Sequence, residues 1–228
     1  MKIYSAAEAV KYIAGNIFSL DGEDIPLQDD PRLVAFTPAQ VQEAMGEITF
    51  PYLPNRDIYC LPAQIHLHGI GQDGAAWGDN IILSAQILDD FPNPAEFIRM
   101  VICHELGHAV HDEYLDAVGW YEYTAIRAIP AGVDRQEVFA DDFVGLFGNI
   151  STFQHRFIPG PVPETVRKFI RSIVPPFIYA NGKLIKSDEP PILLRGRLFV
   201  PLRATSQALG ANVVWDEGNR EVRIDRSR

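Results

Sequence analysis

Hydrophobic residues recur at intervals of three and four along residues 94–116, and this spacing predicts the clearest helix of the chain. Asn93 is suited to cap that helix, and Pro94 fits its first turn because a backbone N–H would have no helical partner there. The recurring apolar positions are Phe97, Ile98, Val101, Ile102, Leu106, Ala109 and Val110. One side of the helix can therefore face a hydrophobic core.

Weaker patterns precede this helix. An apolar stripe over residues 1–20 predicts an N-terminal helix. The rest of the region is predicted as a short helix over 38–45 with Thr37 as its cap, strands over 58–67 and 80–87, and loops over 21–31 and 69–80. The first loop is acidic with two prolines, and the second is rich in glycine.

The second half of the chain changes character near residue 175. An irregular, aromatic-rich stretch over 119–133 is followed by predicted helices over 134–147, ending at Gly148, and over 164–173. After Pro175-Pro176 the pattern becomes hairpins with one short helix. We therefore predict an α+β protein with one domain over residues 1–175 and a small strand–helix–strand module over 176–228.

The composition is that of a soluble globular protein, with 47% hydrophobic and 22% charged residues among 228. A formal net charge of −10 argues against nucleic acid as a partner, because phosphate binding needs a basic surface. No apolar run reaches the ~18 residues that a membrane-spanning helix needs. Cys60 and Cys103 form no CxxC pair, and we expect buried thiols rather than a disulfide.

The candidate chemistry lies on the helix over 94–116, in the sequence His104-Glu105-Leu106-Gly107-His108. The two histidines are four residues apart, so their imidazoles lie on one helix face and can reach one zinc ion. Glu105, rotated by about 100° from His104, can hold a metal-bound water and take its proton during attack on a carbonyl. This pattern predicts a zinc-dependent peptidase acting on a protein or peptide.

Zinc in such a site needs a third protein ligand and one open position. The extended motif HExxHxxGxxH does not fit, because His111 stands at its glycine position and Tyr114 at its last histidine position. His111 itself lies on the metal side of the helix. Three histidines from one helix, however, suit a tetrahedral ion poorly.

Glu137, on the helix over 134–147, is therefore the preferred third ligand, and its alternative role is that of a capping-box partner of Asp134. Asp141 follows one turn later and can accept the remaining N–H of a zinc-bound histidine. The other interpretation of Asp141, together with Asp142, is a solvated acidic face.

A peptidase also needs a hydrogen-bond donor for the oxyanion. Tyrosines at 114, 121 and 123 lie between the two helices, and we expect Tyr123 to act, with Tyr121 as the alternative. Packing is the other role open to each tyrosine. Trp77 and His111 are the expected substrate-binding residues, and Trp77 is equally compatible with a place in the core or on the surface.

These motifs resemble a known group of enzymes. Residues 60–173, with the segments HELGHAVHD, RQEVFADDFVGLF and PETVRKFI, resemble the catalytic domain of anthrax lethal factor and the secreted Pro-Pro endopeptidases. The resemblance implies a zincin-like, glutamate-type metallopeptidase domain in which His104, His108 and Glu137 bind zinc and Glu105 is the base. It also implies cleavage in proline-rich sequences, although Pro130 stands where that group usually has its oxyanion tyrosine.

The tail, from Tyr179 to the end, resembles the copper amine oxidase N-terminal-like domain, also called a stalk domain, of exported bacterial proteins. No histidine follows His155, so we expect no metal in the tail. The resemblance implies a secreted or cell-surface protein, attached or spaced through this module, whose signal peptide is absent from this sequence.

Two other functions are open at this stage. One is an intracellular regulatory peptidase of the ImmA/IrrE type, which shares the HELGH sequence and a downstream E-x-x-A-[ND] helix. The other is a non-catalytic surface-binding protein that retains a relic metal site. The tail argues against the first, and the intact Glu105 argues against the second.

Overall fold

The computed structural model describes residues 1–51, 56–88, 91–151, 153–187 and 189–226. These residues form a mixed α+β protein, which confirms the predicted fold class. The chain divides into two compact units, with the described residues of Met1–Thr49 and Pro54–Arg167 in the first and those of Phe50–Leu53 and Lys168–Arg228 in the second. None of the described helices is long and apolar enough to cross a membrane.

The elements up to residue 173 alternate between short strands and helices. In chain order they are β1 (Ile3–Tyr4), α1 (Ala6–Ala9), a 3-10 turn (Val10–Tyr12), β2 (Ile13–Ala14), β3 (Ile17–Leu20), β4 (Glu23–Gln28), α2 (Pro38–Glu47), β5 (Asp57–Cys60), β6 (Gln64–Leu67), β7 (Ile70–Gln72), β8 (Gly74–Trp77), β9 (Asn80–Leu83), α3 (Pro94–Tyr114), α4 (Ala117–Arg127), α5 (Arg135–Phe147) and α6 (Glu164–Ile173).

Two sheets are built from these strands. The four-stranded sheet has the order β1-β5-β9-β8, in which β1, β5 and β9 are parallel and β8 is an antiparallel edge strand. The five-stranded sheet has the order β2-β3-β4-β6-β7 and is antiparallel throughout. Their side chains share one core cluster, in which Phe18, Ile25, Tyr59, Ile65 and Ile82 are all buried. This core holds the edge strand β8 in place.

The N-terminal helix predicted over residues 1–20 is wrong. Helix α1 ends at Ala9, and a hairpin follows in which Ile13 pairs with Phe18 and Ala14 with Ile17. The turn of that hairpin contains Gly15 at a φ of 63°, a conformation that glycine adopts without steric cost. Apolar spacing in this segment fits both a helix and a short hairpin, and the glycine turn decides between them.

The two loops predicted over 21–31 and 69–80 are also corrected. The first contains β4, where Ile25 and Leu27 are buried and their neighbours are exposed, a two-residue alternation that the acidic residues obscure. The second contains β7 and β8. The glycines of this segment lie within or between paired strands, so their abundance did not indicate irregular structure.

The aromatic-rich stretch predicted as irregular over 119–133 contains most of α4. Asp116 caps this helix by accepting a hydrogen bond from the Gly119 amide at 2.8 Å. The buried side chains of α4 are Trp120, Tyr123 and Arg127, which share one helix face. The aromatic residues thus mark the inner face of a helix rather than a loop.

The other predicted helices are confirmed. Thr37 forms a capping box with Gln40 at the start of α2, and Asn93 caps α3 by accepting from the Glu96 amide at 3.3 Å. Helix α5 ends at Gly148, and α6 spans the predicted Glu164–Ile173. Helix α3 packs against both α2 and α5, and its residues from Phe97 to Gly107 are mostly buried. Cys60 and Cys103 are free, buried thiols, and burial raises the pKa of Cys60 to about 12.

After α6, whose last residues belong to the second unit, the described part of that unit consists of strand pairs and one helix, the pattern that the sequence predicts. Its elements after residue 173 are β10 (Tyr179–Ala180), β11 (Lys183–Leu184), β12 (Ile192–Leu194), β13 (Arg197–Phe199), α7 (Leu202–Ala208), β14 (Ala211–Asp216) and β15 (Glu221–Arg226). The strands pair as three antiparallel hairpins, β10-β11, β12-β13 and β14-β15. The predicted Asn181-Gly182 turn joins the first pair, with both residues at positive φ.

Candidate metal centre

Helix α3 supplies the first two candidate ligands. His104 and His108 stand one turn apart on α3, and their rings lie 4.7 Å apart in an edge-to-face arrangement. The Nε2 atoms of the two rings face each other at 3.1 Å. Both nitrogens therefore point to the same small volume beside the helix.

Helix α5 brings the third candidate ligand to that volume. Asp134 caps α5 by accepting from the Gln136 amide at 2.8 Å, and Glu137 lies in the first turn. The Glu137 carboxylate is 3.3 Å from His104 Nε2 and 3.4 Å from His108 Nε2. Hydrogen bonds with His104, and to a smaller extent with His108, hold the pKa of Glu137 below its usual range. Glu137 thus faces the histidines and not the helix cap.

The three side chains have the spacing of a zinc site. Their ligand atoms lie within 4.8 Å of one another, with the nearest pairs at 3.1, 3.3 and 3.4 Å. Zinc bonds of 2.0–2.2 Å in a tetrahedron would separate neighbouring ligand atoms by about 3.3–3.6 Å. Two imidazoles and one carboxylate are also a donor set that catalytic zinc sites use. The residues present therefore fit a zinc ion without rearrangement of the backbone.

Asp141, one turn after Glu137, lies beside Nδ1 of His104. Its Oδ1 atom lies 3.1 Å from His104 Nδ1, and the carboxylate is 1% exposed. Burial raises the pKa of Asp141, but hydrogen bonds from His104 and Arg156 outweigh it and lower the pKa to about 2. The ionised carboxylate favours a proton on His104 Nδ1, which directs the lone pair of Nε2 to the side of Glu137. Arg156 Nη2 also lies 3.2 Å from that Nε2.

Arg156 is a functional candidate that the sequence interpretation missed. Its Nη2 donates to Asp141 Oδ1 at 2.9 Å, and its backbone N–H donates to Asp141 Oδ2 at 2.8 Å. The same Nη2 lies 3.8 Å from Glu137 Oε2. Asp141 and the other acidic neighbours raise the pKa of Arg156 against the opposing effect of burial. A permanent positive charge therefore borders the candidate metal site, and no helical or motif pattern in the sequence points to it.

Glu105 is buried beside the three candidate ligands but is not one of them. Its side chain is 4% exposed, and its Oε2 atom has no hydrogen-bond partner among the described residues. Burial raises the pKa of Glu105 above its ordinary value. A β-carbon on Gly74 of β8 would lie 2.9 Å from Glu105 Oε1, so the glycine leaves space for this carboxylate. The Glu105 carboxylate thus lines a cleft beside the candidate ligands.

The cleft has a volume of about 320 Å³ and lies between α3, α5 and the edge strand β8. Both predicted substrate-binding residues, Trp77 and His111, line it, together with Glu105 and the three candidate ligands. The Trp77 indole donates to the carboxylate of Glu23 on β4, which ties the end of β8 to the neighbouring sheet. Asp73 and Arg156 also line the cleft.

Tyr123 does not reach the cleft. Its side chain is 0% exposed, and its hydroxyl donates to Asp142 Oδ2 at 2.7 Å. Arg127 and His155 contact the same carboxylate, at 2.9 Å and 3.2 Å. The structure therefore places Tyr123 in a buried polar network behind the site, which corrects its predicted role as the oxyanion donor. The alternative, Tyr121, is 79% exposed and likewise does not line the cleft.

Comparison with known proteins bears on the second unit. Residues 173–227 match the family profile described as copper amine oxidase N-terminal domain. This match confirms the resemblance predicted for the tail. No curated protein and no solved structure matches the chain.

Proposed function

We propose that this chain is a zinc-dependent endopeptidase. The observation that supports this proposal best is the convergence of His104, His108 and Glu137 on one point, next to the buried carboxylate of Glu105. Three ligands that leave one open position are the arrangement of catalytic zinc sites, whereas structural sites are closed by four protein ligands. The three candidate ligands line a cleft, so a substrate could reach a metal ion that they hold.

When bound, zinc supplies a Lewis acid that polarises a carbonyl and makes water more acidic. Glu105 accepts the proton of the attacking water and delivers it to the nitrogen of the scissile bond, because its side chain lines the cleft next to the candidate ligands. Burial raises the pKa of Glu105, which makes it a stronger base than an exposed glutamate and a usable acid in the second transfer.

The edge strand β8 can hold the substrate in an extended conformation. The Asp73 carbonyl accepts from the Ser84 amide at 3.0 Å and so faces β9. Because these groups alternate along an antiparallel strand, Ala75 and Trp77 also face β9, whereas Gly74 and Ala76 direct their N–H and C=O groups away from it. A peptide added at this edge would pair with Gly74 and Ala76.

Arg156 replaces tyrosine in our proposal as the group that stabilises negative charge. It lines the cleft, keeps a permanent positive charge, and is held beside Glu137 and His104 by Asp141. A guanidinium at this place can donate to an oxyanion that develops on the substrate. Tyr123 is too deeply buried for that role.

We further propose that the substrate is a proline-rich segment of a surface protein and that the enzyme acts outside the cell. Both proposals rest on the resemblance of residues 60–173 to secreted Pro-Pro endopeptidases and of the tail to stalk domains. A proline at a position that pairs with Gly74 or Ala76 would lose one main-chain hydrogen bond, because proline has no N–H. Trp77 offers an apolar surface beside that edge on which a proline ring can pack.

The test combines zinc analysis with cleavage of a peptide library. We expect the wild-type protein to bind one zinc per chain and the Glu105→Gln variant to keep the zinc but cleave about 10²- to 10⁴-fold more slowly. Glu113→Gln, which changes an exposed glutamate of the same helix, is the matched control and should cleave at the wild-type rate.

Three results would count against parts of the proposal. Unchanged cleavage by Glu105→Gln would refute the mechanism. Absence of zinc from the wild-type protein would refute the metal site. Cleavage by the wild-type enzyme without preference for proline on either side of the cut would remove the proline-rich substrate and leave the peptidase itself intact.

A further inference from the structure

His111 contacts the outer nitrogen of a candidate zinc ligand. Its Nε2 atom lies 3.0 Å from His108 Nδ1, the ring nitrogen opposite the one that faces His104 and Glu137. The two rings are nearly perpendicular, with centroids 5.2 Å apart. His111 is therefore placed behind His108 and not among the ligand atoms, which removes its alternative role as a third ligand.

The surroundings of His111 fix its position. The side chain is 3% exposed and lies against Trp120, with ring centroids 5.1 Å apart, and against Phe139, at 5.8 Å. Its Nδ1 atom is 3.0 Å from Asp112 Oδ1, although not in good hydrogen-bond geometry. The negative charge of Asp112 favours a proton on that nitrogen. With its proton on Nδ1, the imidazole would present the lone pair of Nε2 to His108, 3.0 Å away.

We propose that His111 is a positioning residue that orients His108 for metal binding by accepting the hydrogen of its Nδ1 atom. The inference rests on the proposed metal site. A metal-bound His108 has its lone pair on Nε2 engaged, so its proton is on Nδ1 and needs an acceptor. Zinc-bound histidines usually donate to a carboxylate, a carbonyl or water. His104 follows this rule through Asp141, whereas His108 donates to a neutral imidazole.

Two substitutions at His111 separate hydrogen bonding from packing. In His111→Gln the side-chain oxygen can reach the place of Nε2, so an acceptor is retained. In His111→Phe the ring shape is retained and the acceptor is lost. Trp120→Phe changes the wall of the same aromatic pocket without removing an acceptor and is the packing control.

The measurement is the zinc dissociation constant, obtained by competition with a chromophoric chelator, together with the visible spectrum of the cobalt-substituted protein. We expect His111→Phe to bind zinc about 10- to 100-fold more weakly than wild type. His111→Gln and Trp120→Phe should stay within a few-fold of wild type. The cobalt spectrum of His111→Phe should change, and that of Trp120→Phe should not.

The inference is overturned if folded His111→Phe binds zinc as tightly as wild type, or if His111→Gln loses as much affinity as His111→Phe. If neither His111 variant folds, the wild-type protein itself can be tested directly. Long-range ¹H–¹⁵N spectra of the zinc-loaded chain should show the proton of His111 on Nδ1, and a proton on its Nε2 would overturn the inference.

These outcomes differ from failure of the proposed function. If the wild-type protein binds no zinc, or if Glu137→Ala binds zinc with undiminished affinity, the metal site and this inference are both refuted. If Glu137→Ala loses zinc while His111→Phe keeps it, only the role of His111 is refuted.

Discussion

Gly107 of α3 packs so closely on α5 that a β-carbon at this position would lie 2.8 Å from the Cα atom of Ala140. Gly107 lies between His104 and His108 on α3, and Ala140 lies about one turn after Glu137 on α5. The close approach of the two helices is therefore a condition for the convergence of the three candidate ligands.

The substitution Gly107→Ala should push α3 and α5 apart. Because the opposing atoms include backbone, we expect a destabilisation of about 1–3 kcal/mol and weaker zinc binding by at least tenfold. Denaturant unfolding and chelator competition measure the two effects. Gly46→Ala on α2 is the control, since a β-carbon there meets nothing within 4 Å, and it should stabilise the protein slightly. Unchanged zinc affinity in Gly107→Ala would show that the helix spacing does not set the site.

The second prediction concerns Gly74, which leaves room for the Glu105 carboxylate. A β-carbon there would lie 2.9 Å from Glu105 Oε1 and 3.0 Å from the Ile82 carbonyl oxygen. Gly74→Ala should therefore displace the base and lower kcat at least tenfold while zinc content stays the same. In the Glu105→Gln background the same substitution should have little further effect, because the displaced group is already absent. Full additivity of the two substitutions would contradict this account.

The third prediction distinguishes packing from catalysis at Tyr123. Tyr123→Phe removes a buried donor to Asp142, so the free energy of unfolding should fall by about 1–3 kcal/mol. The activity per folded molecule should stay within a few-fold of wild type, because the hydroxyl does not reach the cleft. Tyr121→Phe, at an exposed position, should change neither quantity. A hundredfold loss of kcat at wild-type stability would restore Tyr123 as the oxyanion donor.

The fourth prediction is a pH profile. Burial raises the pKa of Glu105 above 4.5, so the carboxylate takes up a proton and ceases to act as a base at a higher pH than an exposed glutamate would. As the pH falls, kcat should therefore reach half of its maximum at a higher pH than it would with an exposed glutamate as the base. Zinc content must be measured at each pH, because protonation of the histidines also releases the metal. If kcat falls only in proportion to the zinc that is lost, the assignment of Glu105 as the base is contradicted.

Sequence patterns identified the long helices and the candidate ligands because these depend on local spacing. The four-residue interval of His104 and His108 sets one face of α3 whatever packs against it. Glu137 and Asp141 share a face of α5 for the same reason. The structure then supplies what spacing cannot, which is the distance between the two helices.

Other features depend on contacts between segments that are distant in sequence. Strand β8 pairs with β9 in a sheet that also includes β1, which begins at residue 3. The glycines in and around β8 resemble those of a loop when this segment is considered alone. Arg156 reaches Asp141 from a segment without regular structure, so no periodic pattern indicates it. Tyr123 lies in the right interval of sequence, but the rotation of α4 directs it to Asp142.

Asp141 and Asp142 are adjacent in the chain, yet they face different surroundings. Asp141 contacts His104 and Arg156 at the candidate metal centre, and Asp142 contacts Tyr123 and Arg127 behind it. The two carboxylates therefore have different hydrogen-bond partners, although His155 lies close to both. Substitution of Asp142 should therefore lower the yield of folded protein, whereas substitution of Asp141 should in addition weaken any metal binding through His104.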